Sequence, residues 1–169
     1  MTRKLVRRVD TASKSGSVVR IAYLIGRVDS ALRRAIWEAV SPMNLTLQQF
    51  TALSVLRGHD HLSNAELAER TFMTPQSANE VTQALVRKAL IMRRPHPSHG
   101  RIIQLRLTAK GEALRSRADA AVLRVEQRML ARLTAATRHG FREHLKACLR
   151  ALDEHAVDVV NHWGSAVGH

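Results

Sequence analysis

The chain is short of the features that mark several protein classes. A single cysteine, Cys148, cannot close an internal disulfide, so a reducing cytoplasm is the expected compartment. No segment approaches eighteen uninterrupted apolar residues, so no transmembrane helix and no membrane partner are expected. Arg20 and Arg27 interrupt the apolar stretch behind the basic start, which excludes a signal-peptide reading. There is no internal repeat and no low-complexity tract. No nucleophile elbow, phosphate-binding glycine loop or metalloprotease helix is present, so nothing points to an enzyme or calls for a cofactor. Acidic residues are scarce as well, 14 against 27 basic ones, which leaves a net charge of +13. That excess suits a polyanionic partner, most simply nucleic acid, although it also fits a membrane surface or plain solubility.

The basic excess is uneven. Residues 1–44 carry nine basic and three acidic groups, 45–110 nine and four, and 111–169 nine and seven. The last third is nearly balanced, as a packing element should be. Arginine supplies 22 of the 27 basic residues, which favours bidentate contacts to phosphate and guanine.

The stretch from Ser63 to Gly111 is the most specific. Ser63-Asn64-Ala65-Glu66 is a capping box, opening a short helix that ends near Arg70. Phe72-Met73 makes a turn. Thr74 then caps a second helix with Pro75 at its first position, where the missing N–H costs nothing. Ala78, Val81, Leu85 and Leu90 form its apolar stripe, with Val86 beside it. The opposite face carries Gln76, Ser77, Asn79, Glu80, Gln83 and Arg87, small or hydrogen-bonding types that read base edges. Two helices joined by so short a turn make a helix-turn-helix.

Two strand candidates follow, Ile91–Arg94 and Ile102–Leu107. The second alternates Ile103, Leu105 and Leu107 against Gln104 and Arg106. Between them lies the turn-rich run from Pro95 to Arg101. Arg93, Arg94, Arg101 and Arg106 bracket this hairpin and suit contact with the DNA backbone or minor groove.

The flanks read as helices. Residues from about 17 to 40 place Ile21, Leu24, Ile25, Val28, Leu32, Ala35 and Ile36 on one face, and Ser41-Pro42 ends the run. Thr46-Leu47-Gln48-Gln49 is a second capping box, opening a helix that points Phe50, Leu53 and Leu56 inward. Thr108 caps a long helix to about Leu133, with Leu114, Ala118, Ala121, Val122, Val125 and Met129 on its stripe. A last helix, about 135–160, carries Phe141, Leu145, Cys148, Leu149, Leu152 and Val159. These flanks hold more apolar face than the winged unit can cover, and a second copy is the simplest cover.

The organisation is thus a mainly α chain with a small β wing, in four parts. Residues 1–16 form a basic arm that either lies on DNA phosphates or solubilises the chain. Residues 17–44 form an N-terminal dimerisation helix, 45–110 a winged helix-turn-helix, and 111–169 C-terminal dimerisation helices.

That order resembles the MarR family of bacterial transcription regulators. Leu62-Ser63-Asn64-Ala65-Glu66-Leu67-Ala68 is similar to the family's first motif helix. Met73-Thr74-Pro75-Gln76-Ser77-Ala78-Asn79 is similar to the start of its recognition helix, and Leu105-Arg106-Leu107-Thr108-Ala109-Lys110-Gly111 to its exit into the next helix. The resemblance covers about residues 17–155. It implies a homodimer on a pseudo-palindromic operator in duplex DNA, regulating nearby genes. Many relatives are repressors released by a small aromatic ligand. Family wings carry Asp-Arg-Arg or Asp-x-Arg where this chain has His99, Gly100 and Arg101, so the wing-tip role passes to Arg101 alone.

Site residues follow from both readings. Gln76, Ser77, Asn79, Gln83 and Arg87 are expected to read bases; Ser63, Thr74, Arg93, Arg94 and Arg101 are expected to hold the backbone. Tyr23, Trp37, Met43 and Phe50 are placed either to line an effector crevice or to fill the core. An architectural, effector-independent DNA binder of the nucleoid is the alternative function. His144 and Cys148 stand i,i+4 with His155 seven residues further, and such types bind zinc. Cys148 lies within an apolar stripe, where free cysteine behaves as a small buried hydrophobe, so no metal is assigned. His59-Asp60-His61 reads as a solvated turn.

Overall fold

Helix formation here is governed by caps. In the computed structural model, residues 20–59, 61–95 and 103–152 are described. The basic arm, the wing tip with His99, Gly100 and Arg101, and the residues after Leu152 lie outside that range. Helix α1 (Ile21–Val40) ends at Ser41-Pro42, where one 3-10 turn (Ser41–Met43) passes to Asn44 in the left-handed region at φ 58°. Helix α2 (Leu47–Gly58) starts on the full capping box of Thr46 and Gln49. Helix α3 (Asn64–Arg70) starts on the box of Ser63 and Glu66. Helix α4 (Pro75–Arg87) starts on Thr74, whose hydroxyl accepts from the Ser77 amide. Helix α5 (Ala109–Met129) starts on Thr108, and α6 (Ala135–Leu152) follows.

The sheet has three antiparallel strands in the order β1-β3-β2. Strands β2 (Ile91–Pro95) and β3 (Ile103–Leu107) form the wing, with Ile91 opposite Leu107 and Arg94 opposite Gln104. Strand β1 (Leu62–Ser63) pairs Leu62 with Leu105 and Ser63 with Gln104. Its two residues are too few to show a period, so periodicity did not announce them.

The core gathers Phe50, Leu53 and Leu56 of α2, Leu67 of α3, Leu85 of α4, and Leu62, Leu90, Ile91 and Leu105 around the sheet. Val40 of α1 and Ala118 of α5 join it. This core lies between the winged unit and the inner ends of α1 and α5.

Several sequence expectations need correction. Leu90 is core but lies past the end of α4, because Ala89 turns left-handed at φ 55° and stops the helix. Val81 packs half-buried against the core as expected, but Thr82 beside it, placed on neither face, is fully buried. The alternation of β3 is broken. Gln104 is 6% exposed, because His61 covers it with Nδ1 at 2.9 Å from its Oε1, whereas Ile103 is exposed at the far end opposite Pro95. Cys148 is exposed rather than buried, and no residue of α6 is buried within the chain. The long helix stops at Met129, earlier than expected.

Arg115 was also unforeseen. It is 2% exposed on α5 and ion-paired to Glu112 at 2.7 Å and to Asp119. Asp119 accepts from Ser54 of α2 at 3.5 Å. Hydrogen bonds from Arg115 hold the Glu112 carboxyl below its ordinary value. Burial pushes the Asp119 carboxyl up, against the pull of Arg115 and Arg57.

Gly111 marks the tightest approach. A Cβ there would lie 1.9 Å from the carbonyl oxygen of Leu90. Gly111→Ala should therefore force α5 off the start of β2 and cost about 2–3 kcal/mol. The measurement is the urea midpoint, and an unchanged midpoint would contradict this packing.

Candidate nucleic-acid interface

Four cap and turn interactions aim the polar face of α4 outward. Phe72 ends α3 left-handed at φ 53°, Thr74 opens α4, and the hydroxyl of Thr74 lies 3.0 Å from that of Ser77. Inside the pair, Thr82 donates to the Oδ1 of Asn64 at 2.8 Å. This bond between a fully buried hydroxyl and the first residue of α3 sets how α4 lies on α3. Its partners are eighteen residues apart, beyond the reach of helical periodicity.

The outer face then presents Gln76, Ser77, Asn79, Glu80, Gln83 and Arg87, all exposed. Gln76, Asn79, Gln83 and Arg87 fall at helical spacing on one side, so one groove can meet all four. Gln76 donates to Glu80 at 3.3 Å. Four of the five residues expected to read bases thus share one side, and Ser77 is exposed about 100° round the helix, beside Thr74.

Those expected to hold the backbone are divided. Arg93 and Arg94 are exposed on β2 and, as neighbours on a strand, point to opposite faces of the wing. Arg101 lies outside the described residues. Arg106 is half-buried on β3, with a guanidinium nitrogen 3.4 Å from Nε2 of His61. The Ser63 hydroxyl is committed to Glu66, donating to its carboxylate at 2.7 Å and accepting its amide at 3.2 Å. The bonds from Ser63 hold the Glu66 carboxyl below its ordinary value, so a negative charge stands where Ser63 would meet a phosphate. The Thr74 hydroxyl is likewise a cap first.

The four residues placed at an effector crevice are not brought together in one chain. Phe50 is 3% exposed and belongs to the core, with Met43 packed against it. Tyr23 and Trp37 are 58% and 54% exposed on α1. Fourteen residues of helix separate them by about 21 Å. A crevice of about 420 Å³ opens elsewhere, between the end of α2 and the start of α5, walled by Leu56, Arg57, Arg106, Leu107 and Glu112. A second of about 310 Å³ runs along α1 past Arg27, Ala31, Arg34 and Glu38. Of the metal-type residues on α6, His144 and Cys148 are exposed and His155 lies outside the described residues.

The apolar faces of α1 and α6 remain open. Ile21, Leu24, Ile25 and Val28 of α1 are exposed, as are Phe141, Leu145, Leu149 and Leu152 of α6. No helix among the described residues is long and apolar enough to cross a membrane.

A polar-faced helix held by a capped turn, with an arginine-bearing hairpin beside it, defines a winged helix-turn-helix protein. The MarR family model matches residues 43–102. The HTH-type transcriptional repressor Rv2887 of Mycobacterium tuberculosis (strain ATCC 25618 / H37Rv) is 40% identical over 126 residues, 75% of this chain and 91% of the relative. The chain belongs to the MarR family. A crystal structure of the Mycobacterium tuberculosis MarR family protein Rv2887 with DNA is similar at TM-score 0.67 and 36% identity, over 77% of this chain and 98% of that one. The same protein with salicylic acid is similar at TM-score 0.66 and 38% identity, over 78% and 98%.

The Thr82–Asn64 bond gives a direct check on this geometry. Thr82→Val keeps the shape and removes the donor, so stability should fall by about 1–2 kcal/mol. Thr82→Ser, which keeps the hydroxyl, should lose less in the same urea titration. A loss in Thr82→Ser with none in Thr82→Val would place the effect in packing alone.

Proposed function

We propose that this protein is a transcriptional repressor that binds a pseudo-palindromic operator as a homodimer and is released by a small aromatic acid. It would act in the cytoplasm, on the nucleoid. The observation that carries this reading is the exposed polar face of α4, from Gln76 to Arg87, beside a basic wing. The open apolar faces of α1 and α6 support the second copy, because exposed side chains of that size favour burial. With two-fold symmetry, half-sites should lie about one helical turn, roughly 10 base pairs, apart. The M. tuberculosis relative, a repressor with a DNA complex, supports the function.

The roles divide by chemistry. Gln76, Ser77, Asn79, Gln83 and Arg87 read base edges, whereas Arg93, Arg94 and Arg101 hold phosphates. Thr74 and Ser63 act chiefly through their caps. Alanine at Gln76 or Asn79 should cost about 1–3 kcal/mol on the operator and relax its sequence preference. Alanine at Arg94 should weaken every duplex alike and flatten the salt slope by about one unit. Fluorescence anisotropy on operator and random duplex, at several salt concentrations, separates the two. Equal loss on both duplexes for both kinds of variant would sink the assignment.

The effector reading rests on the salicylic acid complex of the relative and on cationic, partly apolar crevices here. Arg57 and Arg106 can meet a carboxylate while Leu56 and Leu107 meet a ring. Tyr23 and Trp37 supply exposed rings that a second copy would bring over the winged unit. Such a ligand acts only through unequal affinity for the DNA-competent and DNA-incompetent arrangements. Salicylate at saturation should lower operator affinity about 5–150-fold. No change across a panel of phenolic acids would favour the architectural, effector-independent DNA binder instead.

A further inference from the structure

Phe72 combines two unfavourable features in the turn of the helix-turn-helix. Its ring is 76% exposed, and its backbone is left-handed at φ 53°. Its amide donates to the Glu69 carbonyl at 3.2 Å, and the next amide, of Met73, donates to the Ala68 carbonyl at 3.0 Å. That pair of bonds is a Schellman ending, whose left-handed residue is usually glycine. A bulky side chain in that region is strained, and apolar surface prefers to leave water.

The far end of α4 shows what the turn alone requires. Ala89 donates to Val86 at 2.8 Å and Leu90 donates to Leu85 at 3.0 Å, with Ala89 at φ 55°. The geometry is the same, and the side chain there is a single methyl group. A benzyl group is therefore no requirement of such a turn. It lies two residues before Thr74, the cap of α4, and four before Gln76, so it adjoins the reading face at its N-terminal end. The charged groups of α3 and α4 closest to it in sequence are Glu69, Arg70 and Glu80, and it is the whole chain, at +13, that favours a polyanion over an apolar protein surface. The apolar faces that await a second copy lie on other helices, α1 and α6.

We propose that the Phe72 ring is part of the DNA interface, packing on the thymine methyl group and deoxyribose beside the bases that Gln76 and Ser77 reach. This rests on the reading of α4 as the recognition helix. The ring would make Phe72 a specificity-determining residue. Arginine contacts to phosphate are blind to sequence, whereas apolar contact with the C5-methyl group distinguishes thymine from cytosine.

The test uses the full chain and a duplex that the wild-type protein has enriched from a randomised pool. Phe72→Gly relieves the left-handed strain, so its melting temperature should rise by about 2–4 °C. Its affinity for the enriched duplex should nevertheless fall about tenfold, with affinity for random duplex unchanged. Phe72→Tyr keeps the ring and should stay within about twofold of wild type. Replacing thymine by uracil at single positions removes the methyl groups one at a time. At least one such change should weaken the wild type and leave Phe72→Gly unaffected. If Phe72→Gly binds the enriched duplex as tightly as wild type, or every uracil duplex weakens both proteins equally, the proposal is overturned. A Phe72→Gly protein that sediments as a monomer where the wild type is a dimer would move the ring to the interface between copies and also overturn it. If the wild type enriches no duplex, the DNA-reading function falls with it, an outcome distinct from a wild type that enriches one and a variant that binds it equally well.

Discussion

One residue, Leu90, holds three functional elements together. The amide of Leu90 donates to Leu85 at 3.0 Å and so closes the end of α4. Its carbonyl accepts from the Thr108 amide at 3.0 Å and lies 3.2 Å from the Thr108 hydroxyl, which starts α5. Its side chain is buried in the core, directly before the first wing strand. The same hydroxyl reaches the Ala89 carbonyl at 2.8 Å and caps the Gly111 amide at 3.0 Å. The exit of the recognition helix, the root of the wing and the entry of α5 are therefore referenced to the same few atoms. This is why glycine stands at 111: the carbonyl that α5 leans on leaves no room for a Cβ.

Local chemistry was legible in the sequence, and long-range polar pairing was not. Thr46, Ser63, Thr74 and Thr108 each announce a helix start, because a cap acts within four residues of itself. The polar face from Gln76 to Arg87 was equally visible, since helical spacing alone defines it. Thr82 and Gln104 were hidden, because their partners Asn64 and His61 are eighteen and forty-three residues away. Arg115 was hidden for another reason. Its acceptors are neighbours at i−3 and i+4, which normally signals a solvated surface pair, and only the packing of α2 against α5 buries it. Leu90 was placed in α4 because its spacing fits, while the left-handed Ala89 that excludes it has no glycine to betray it. Within one chain Tyr23 and Trp37 share a face of α1 but lie nearly four turns apart, so helical spacing alone does not bring them to one crevice.

The chain divides its side chains between two unlike surfaces. On α4 and the wing root the exposed groups are amides, hydroxyls and guanidinium groups, suited to a hydrated polyanion. On α1 and α6 they are Ile21, Leu24, Ile25 and Val28, and Phe141, Leu145, Leu149 and Leu152. The proposed function accounts for both, since one surface would meet DNA and the other a second copy. The exposed Cys148 fits this division. It sits on the apolar side of α6, where a second copy would bury it as an ordinary small hydrophobe.

The corner where α1 becomes α2 is also tied to the end of α4, and one lysine spans it. Lys88 follows α4 directly, and its ammonium donates to the Asn44 carbonyl and to Oε1 of Gln49 at 2.8 Å. Gln49 in turn accepts from the Thr46 amide at 3.3 Å, within the capping box of α2. Asn44 is the left-handed residue that sets the angle between α1 and α2. On the proposed function, a rotation of α1 by a second copy or by a ligand lodged against it would displace that carbonyl and so act on the end of α4. A hydrogen bond from a charged donor contributes about 1.5–3 kcal/mol. The coupling that separates bound from released regulators is about 1–3 kcal/mol. One contact at this corner is thus of the size that the proposed switch would require, and it joins the α1–α2 corner to the end of α4.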